Sequence, residues 1–151
     1  MFRIGPLMRT AFRLSSPPRR APAAYQGRYV EPRSLRVIVV DDERDSVDTL
    51  TALLNDEGHE VRGLTKGKEV LDAVAEFNPD AVLLDIAMPD TSGYELAKQI
   101  RQRYGEVKPM LIAISGRYKQ ASDKMLGQIV GFDHYLTKPY DPGMLLSLLR
   151  F

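Results

Sequence analysis

From residue 35 onward, short runs of nearly uninterrupted apolar residues alternate with stretches in which apolar positions recur every three or four residues. The runs occupy 35–40 (LRVIVV), 59–64, 81–86, 110–115 and 134–138, the second being the weakest. Runs this apolar suit strands buried on both faces, as in a parallel sheet covered by helices on each side. A strand with one wet face would alternate instead.

The stretches between the runs have helical spacing. Val47, Leu50, Leu53 and Leu54 share one face, and Gly58 stops that helix. Val70, Leu71, Val74 and Phe77 line the next, which ends at Asn78-Pro79 because a residue before proline is pushed out of helical geometry. Ser92 to Glu95 has capping-box spacing, and Leu96, Ala97, Ile100 and Tyr104 follow on one face. A fourth helix presents Ala121, Met125 and Ile129, and a last one Met144, Leu145, Leu148 and Leu149. Five strands alternating with five helices predict an α/β domain, doubly wound as (βα)5, with a five-stranded parallel sheet between two helical layers.

Composition changes this picture at one end. The 151 residues suffice for one ordinary domain with an appendage. Residues 1–34 hold seven arginines against the single acid Glu31, a balance of +6, while the rest holds 14 basic and 19 acidic residues, a balance of −5. The near-neutral total of +1 therefore describes neither part. With five prolines and no sustained period, 1–34 reads as a basic, flexible extension ahead of a folded domain at 35–151. Its arginines also suit a nucleic acid or an anionic membrane surface, an organellar targeting segment, or a vector-derived or mis-assigned start. There is no cysteine, which excludes disulfides and thiolate metal sites, and no apolar run approaches the roughly 20 residues that span a bilayer.

In a doubly wound sheet, ligands sit beyond the carboxyl ends of the strands, near the point where strand order reverses. The first strand runs into Asp41-Asp42-Glu43, the third ends in Asp85, the fourth in Ser115 and the fifth in Lys138. A single Asp at a strand end is usually a cap or a solvated loop residue, and Ser115 or Lys138 alone would be unremarked. Four chemically matched ends on one edge are another matter. Clustered carboxylates repel one another unless a cation is present, and an oxygen-rich site suits magnesium, which keeps several waters and takes phosphate oxygens as further ligands. A carboxylate beside such an ion can attack phosphorus, and a lysine and a hydroxyl can stabilise the charge on the transferring group.

The stretches VIVVDDE (37–43), VLLDIAMPDTSGYEL (82–96), IAISG (112–116) and YLTKP (135–139) resemble the response-regulator receiver family of two-component signalling, whose fold is flavodoxin-like. The resemblance covers about 35–151. It implies that Asp85 is the phosphoacceptor and that Asp41 and Asp42 hold Mg2+, one through water, with the Ala87 backbone carbonyl as a further ligand. It implies that Ser115 and Lys138 contact the phosphoryl group and that Tyr135 turns inward when the site is loaded. It also gives Pro89 and Gly93 roles in loop geometry, and Pro139 a frequent cis bond. The implied donor is a sensor histidine kinase or histidine phosphotransfer protein, with output through the fourth helix, fifth strand and fifth helix to an unidentified partner or a second copy, in the cytoplasm.

Rival readings are weaker. An Asp-nucleophile phosphohydrolase needs a second Asp two positions after the nucleophile, where this chain has Ala87, and a dinucleotide site needs a glycine-rich first turn where this chain has Asp41-Asp42-Glu43. A pseudo-receiver that binds partners without phosphate is opposed by the intact acidic pair, Asp85 and Lys138. Ordinary enzyme activity is not expected, only assistance to its own phosphorylation and dephosphorylation. His134 reads as a half-buried structural residue, His59 as a loop residue, and Met125 and Met144 as helix core. No output or DNA-reading module is visible, so the expectation is a stand-alone receiver or a piece of a larger protein such as a hybrid kinase.

Overall fold

A computed structural model describes residues 33–116 and 130–150. In chain order the elements are β1 (Arg36–Val40), α1 (Arg44–Asp56), β2 (Glu60–Leu64), a 3-10 turn (Gly67–Glu69) running into α2 (Val70–Phe77), β3 (Ala81–Asp85), α3 (Gly93–Tyr104), β4 (Met110–Ser115), β5 (His134–Thr137) and α4 (Pro142–Leu148). The expected fourth helix, with Ala121, Met125 and Ile129, lies outside the described residues, as does the extension through residue 32.

All five strands pair in parallel, in the order β2-β1-β3-β4-β5. Strand periodicity then sorts the apolar side chains into two layers. Ile38, Val40, Val82 and Leu84 point to the face covered by α2 and α3, where they meet Val74, Phe77, Leu96 and Ile100. Val37, Val39, Ala81 and Leu83 point to the other, where they meet Leu50 and Leu54 of α1 and Leu145 and Leu149 at the end of the chain. Both faces of β3 are buried along its whole length. The edge strand β2 is half exposed, which accounts for its weaker apolar signal.

The helix ends follow local chemistry. Glu57 and then Gly58, at φ +91°, close α1, and Asn78 in left-handed geometry closes α2 before Pro79. Ser92 caps α3 by accepting from the Tyr94 N–H at 3.2 Å, one position earlier than the donor of a full capping box. Two apolar assignments are corrected. Tyr104 is 40% exposed because it is the last residue of α3, before the chain turns away at Gly105. Met144 is 54% exposed because Leu145 and Leu149 define the buried stripe of the short α4, and Met144 sits roughly 100° around the helix from Leu145.

Arg101 fastens the far end of the sheet. Its buried guanidinium donates to the carbonyls of Gly131 (2.9 Å) and Pro109 (2.8 Å) and to Asp133 Oδ2 (2.8 Å), which also accepts from the Leu111 N–H. The starts of β4 and β5 are thereby held to α3, leaving the opposite edge for chemistry.

Candidate functional site

Sheet register sets the depth at which each candidate side chain emerges. Asp85 is the last residue of β3 and lies opposite Ile114, while Ser115 closes β4 opposite Thr137. Lys138 directly follows β5 rather than ending it, and its N–H donates to the Ser115 carbonyl at 2.6 Å. Asp41 directly follows β1, its N–H donating to the Leu64 carbonyl at 3.1 Å. Four separate strands thus deliver four polar side chains to one edge.

The buried polar residues among those described are Asp41, Asp85 and Ser115, the first two 3% and 6% exposed. Burying such groups is unfavourable unless they are paired, so their concentration here marks the place where the fold departs from an all-apolar interior. Asp42 is exposed, yet one carboxylate oxygen from each of Asp41, Asp42 and Asp85 lies within 4.8 Å of the others. Lys138 Nζ donates to Asp41 Oδ2 at 2.7 Å, the Glu43 N–H to Asp41 Oδ1 at 2.9 Å, and the Ala87 N–H to Asp85 Oδ1 at 3.0 Å.

These contacts set the protonation equilibria. Burial pushes the Asp85 carboxyl up; the charges of Asp41 and Asp42 push the same way, against the Ala87 N–H and the Lys138 ammonium. For Lys138, burial pulls the ammonium down, but the hydrogen bond and charge of Asp41, with Asp85 and Glu43 behind it, outweigh burial and leave it raised. One ammonium faces three carboxylates, so negative charge remains in excess. Hard oxygen donors with excess negative charge fit a small divalent cation of the magnesium type.

The loop after β3 is tightly specified. A Cβ on Gly93 would lie 2.7 Å from Ile86 Cα and 2.9 Å from the Asp85 carbonyl, so only glycine lets α3 start this close to the end of β3. Ala87 lies in an exposed stretch held by a bridge to Ser92, and Pro89 is exposed beyond the buried Met88. The Lys138–Pro139 bond is cis. Tyr135 is half-buried, and its hydroxyl is shielded from solvent with no hydrogen-bond partner among the described residues.

Two participants were not singled out from sequence, and a third was given too small a part. Glu43 appeared only as the tail of an acidic run, yet its N–H orients Asp41 and its charge acts on Lys138. Asp90, which looks like any turn aspartate, joins the loop after β3 to the start of the α2 segment. His59 does more than occupy a loop, since its Nδ1 accepts from the Leu35 N–H at 3.1 Å and ties the start of the domain to β2. His134 is half-buried in β5, in keeping with a structural role.

Residues 37–150 match the family model of the response regulator receiver domain. Among solved structures, a CheY-like response regulator receiver domain protein from Methanospirillum hungatei JF-1 superimposes with a TM-score of 0.71 at 26% identity, over 78% of this chain and 91% of that one. The chemotaxis protein CheY4 of Vibrio cholerae gives 0.71 at 26% identity, over 78% and 97%. The response regulator DrrB of Thermotoga maritima, an OmpR/PhoB homolog, gives 0.66 at 27% identity, over 76% of this chain but 50% of its own.

Proposed function

This chain belongs to the response regulator receiver domain family, and from that premise we propose that it accepts a phosphoryl group on Asp85 with the help of Mg2+. Receiver domains are signalling domains of two-component systems rather than enzymes in the ordinary sense. The observation that carries the proposal is the convergence of the Asp41, Asp42 and Asp85 carboxylates with the Lys138 ammonium at one sheet edge, within a few ångströms and with Asp41 and Asp85 buried.

Each residue has a distinct task. Asp41 and Asp42, with the Ala87 carbonyl, would hold Mg2+, one of the acids through water. The cation supplies charge neutralisation that lets an anionic donor approach an anionic nucleophile. An Asp85 oxygen attacks phosphorus as the bond from phosphorus to the donor's imidazole nitrogen breaks; that nitrogen keeps the electron pair and takes up a proton. Asp85 becomes a mixed anhydride. Lys138 and the Ser115 hydroxyl stabilise the phosphoryl oxygens, and their inward movement makes room for Tyr135 to turn in. The surface built from the segment before β5, β5 itself and α4 is thereby biased towards a second arrangement.

The donor would be a phosphohistidine on a sensor kinase or phosphotransfer protein. The reader would be a downstream protein or a second copy of this chain, docking on the switched surface. Among the described residues no helix is long and apolar enough to cross a membrane.

The test is an intact-mass spectrum after incubation with acetyl phosphate. One added phosphoryl mass that requires Mg2+ and is lost in Asp85→Asn supports the proposal. No addition from acetyl phosphate or from a phosphohistidine donor overturns it in favour of a phosphate-independent interaction module.

A further inference from the structure

The helical segment that starts at Gly67 has no cap of its own. Lys66 stands at the cap position in extended geometry and offers no side-chain acceptor. Its free N–H groups are satisfied from another part of the chain, because Asp90 Oδ1 accepts from Gly67 at 3.3 Å and Oδ2 accepts from Lys68 at 3.1 Å. Contact between the two loops is close. A Cβ on Gly67 would fall 1.9 Å from Thr91 Cγ2 and 3.2 Å from Met88 Cε, so glycine at 67 lets residues 88–91 lie directly on the helix start.

This contact bears on the site because of which loop it grips. The chain from Asp85 to Gly93 is fastened on its inner side by the Ala87 N–H on Asp85 Oδ1 and by the Ala87–Ser92 bridge, to which the Gly93 N–H on the Ile86 carbonyl at 3.1 Å belongs. A backbone ligand has no rotamer to adjust. The direction of the Ala87 carbonyl is that of the Ala87–Met88 peptide plane, and what holds Met88 and Asp90 helps to set the Met88 side of that plane. Met88 is buried beneath Gly67, and Asp90 is bonded across it.

We propose that Asp90 is a positioning residue for the cation: by capping the helix at Gly67 and Lys68, it fixes the Ala87–Met88 peptide and aims the Ala87 carbonyl into the carboxylate cluster. The proposal rests on the reading of that cluster as a Mg2+ site. It makes the α2 segment an outer support of the site, although none of its residues belongs to the carboxylate cluster. Groups that orient metal ligands typically affect affinity by about ten- to a hundredfold, and an exposed clamp on a single backbone ligand belongs at the lower end.

The experiment is a calorimetric titration of unphosphorylated full-length protein with MgCl2 at low salt and in 0.5 M KCl. Proteins compared are wild type, Asp90→Ala, Asp90→Asn and Gly67→Ala, with thermal melts in EDTA to check folding. Asp90→Ala is expected to weaken Mg2+ about five- to tenfold at both salt concentrations. Asp90→Asn, which keeps one acceptor oxygen but no charge, is expected to lie between it and wild type. Gly67→Ala, which pushes on the same contact from the other side, is expected to weaken Mg2+ similarly. In phosphorylation by acetyl phosphate, excess Mg2+ should restore the Asp90→Ala rate, which a general folding defect would not allow. Unchanged Mg2+ affinity in Asp90→Ala overturns the proposal and leaves the site reading intact. So does a loss that is equal in Asp90→Asn and vanishes in 0.5 M KCl, because that pattern is through-space charge. Failure of the wild type to bind Mg2+ overturns the site reading and this proposal together.

Discussion

Lys138 Nζ donates to Asp41 Oδ2 at 2.7 Å, across 97 residues of sequence. The ammonium therefore pairs with a carboxylate of the cluster proposed to hold the cation, and the two positive charges compete for it. Lys138→Met is expected to tighten Mg2+ binding by about three- to tenfold, on the order of 1 kcal/mol for one partly exposed charge pair. The same change should lower the phosphorylation rate by at least tenfold, because the group proposed to stabilise the phosphoryl oxygens is gone. Calorimetry with MgCl2 and phosphorylation kinetics, run on one preparation, separate the two effects. Weaker Mg2+ binding in Lys138→Met would mean that the lysine helps to build the site rather than competing within it.

The raised pKa of Asp85 makes a prediction about stability. A carboxyl whose folded pKa exceeds its unfolded value favours folding while it is protonated, below the unfolded pKa; that contribution is lost as pH rises through the folded value. At neutral pH the ionised Asp85, buried beside Asp41 and Asp42, is therefore a net cost. Asp85→Asn keeps an oxygen to accept from the Ala87 N–H and removes the charge. In EDTA at pH 7 it is expected to melt a few degrees above wild type, on the order of 1 kcal/mol. The advantage should shrink as pH falls towards 3.5 and should also shrink when Mg2+ is added to both proteins. An Asp85→Asn protein less stable than wild type at pH 7 would contradict the cause assigned to the shift.

Much of the fold was legible because most strands are apolar runs and four of the five lead into a chemically distinctive residue at the carboxyl end. The parallel sheet, its three layers, and the meeting of Asp41, Asp85, Ser115 and Lys138 follow from that pattern once strand order is set. What stayed hidden depends on contacts between loops, which leave no period in the sequence. Asp90 capping a helix that starts 23 residues upstream and His59 accepting from Leu35 are pairings of this kind. The misplacement of Met144 has a different origin. A seven-residue helix contains too few turns for spacing to fix which of two adjacent residues faces the core, and only the packing of Leu145 and Leu149 decides it.

Tyr135 carries a buried hydroxyl with no partner among the described residues, a situation that costs roughly 1–3 kcal/mol. Tyr135→Phe removes the oxygen and keeps the ring, so the unphosphorylated protein is expected to gain about 1 kcal/mol in urea unfolding. If the phenol finds water or a partner only after Asp85 is loaded, the gain should be smaller for phosphorylated protein. Equal gains in both states would remove Tyr135 from the switch and leave it as a packing residue.

The lifetime of the phosphoryl group turns on a single small side chain. Hydrolysis needs a water aligned with phosphorus opposite the Asp85 oxygen, and a polar side chain two residues after the nucleophile is placed to orient it. Here that residue is Ala87, exposed at the mouth of the cluster and without a hydrogen-bonding side chain. The wild-type aspartyl phosphate is therefore expected to last minutes or longer in purified protein. Ala87→Asp supplies an acceptor for a proton of the attacking water and is expected to shorten the lifetime by about tenfold or more, below the roughly hundredfold that a fully positioned general base contributes. It also adds a fourth carboxylate, so Mg2+ affinity must be measured alongside and decay followed at saturating Mg2+ by the loss of phosphoryl mass. Loss of the wild-type signal within seconds would show that water is oriented by another group, whatever the behaviour of the variant.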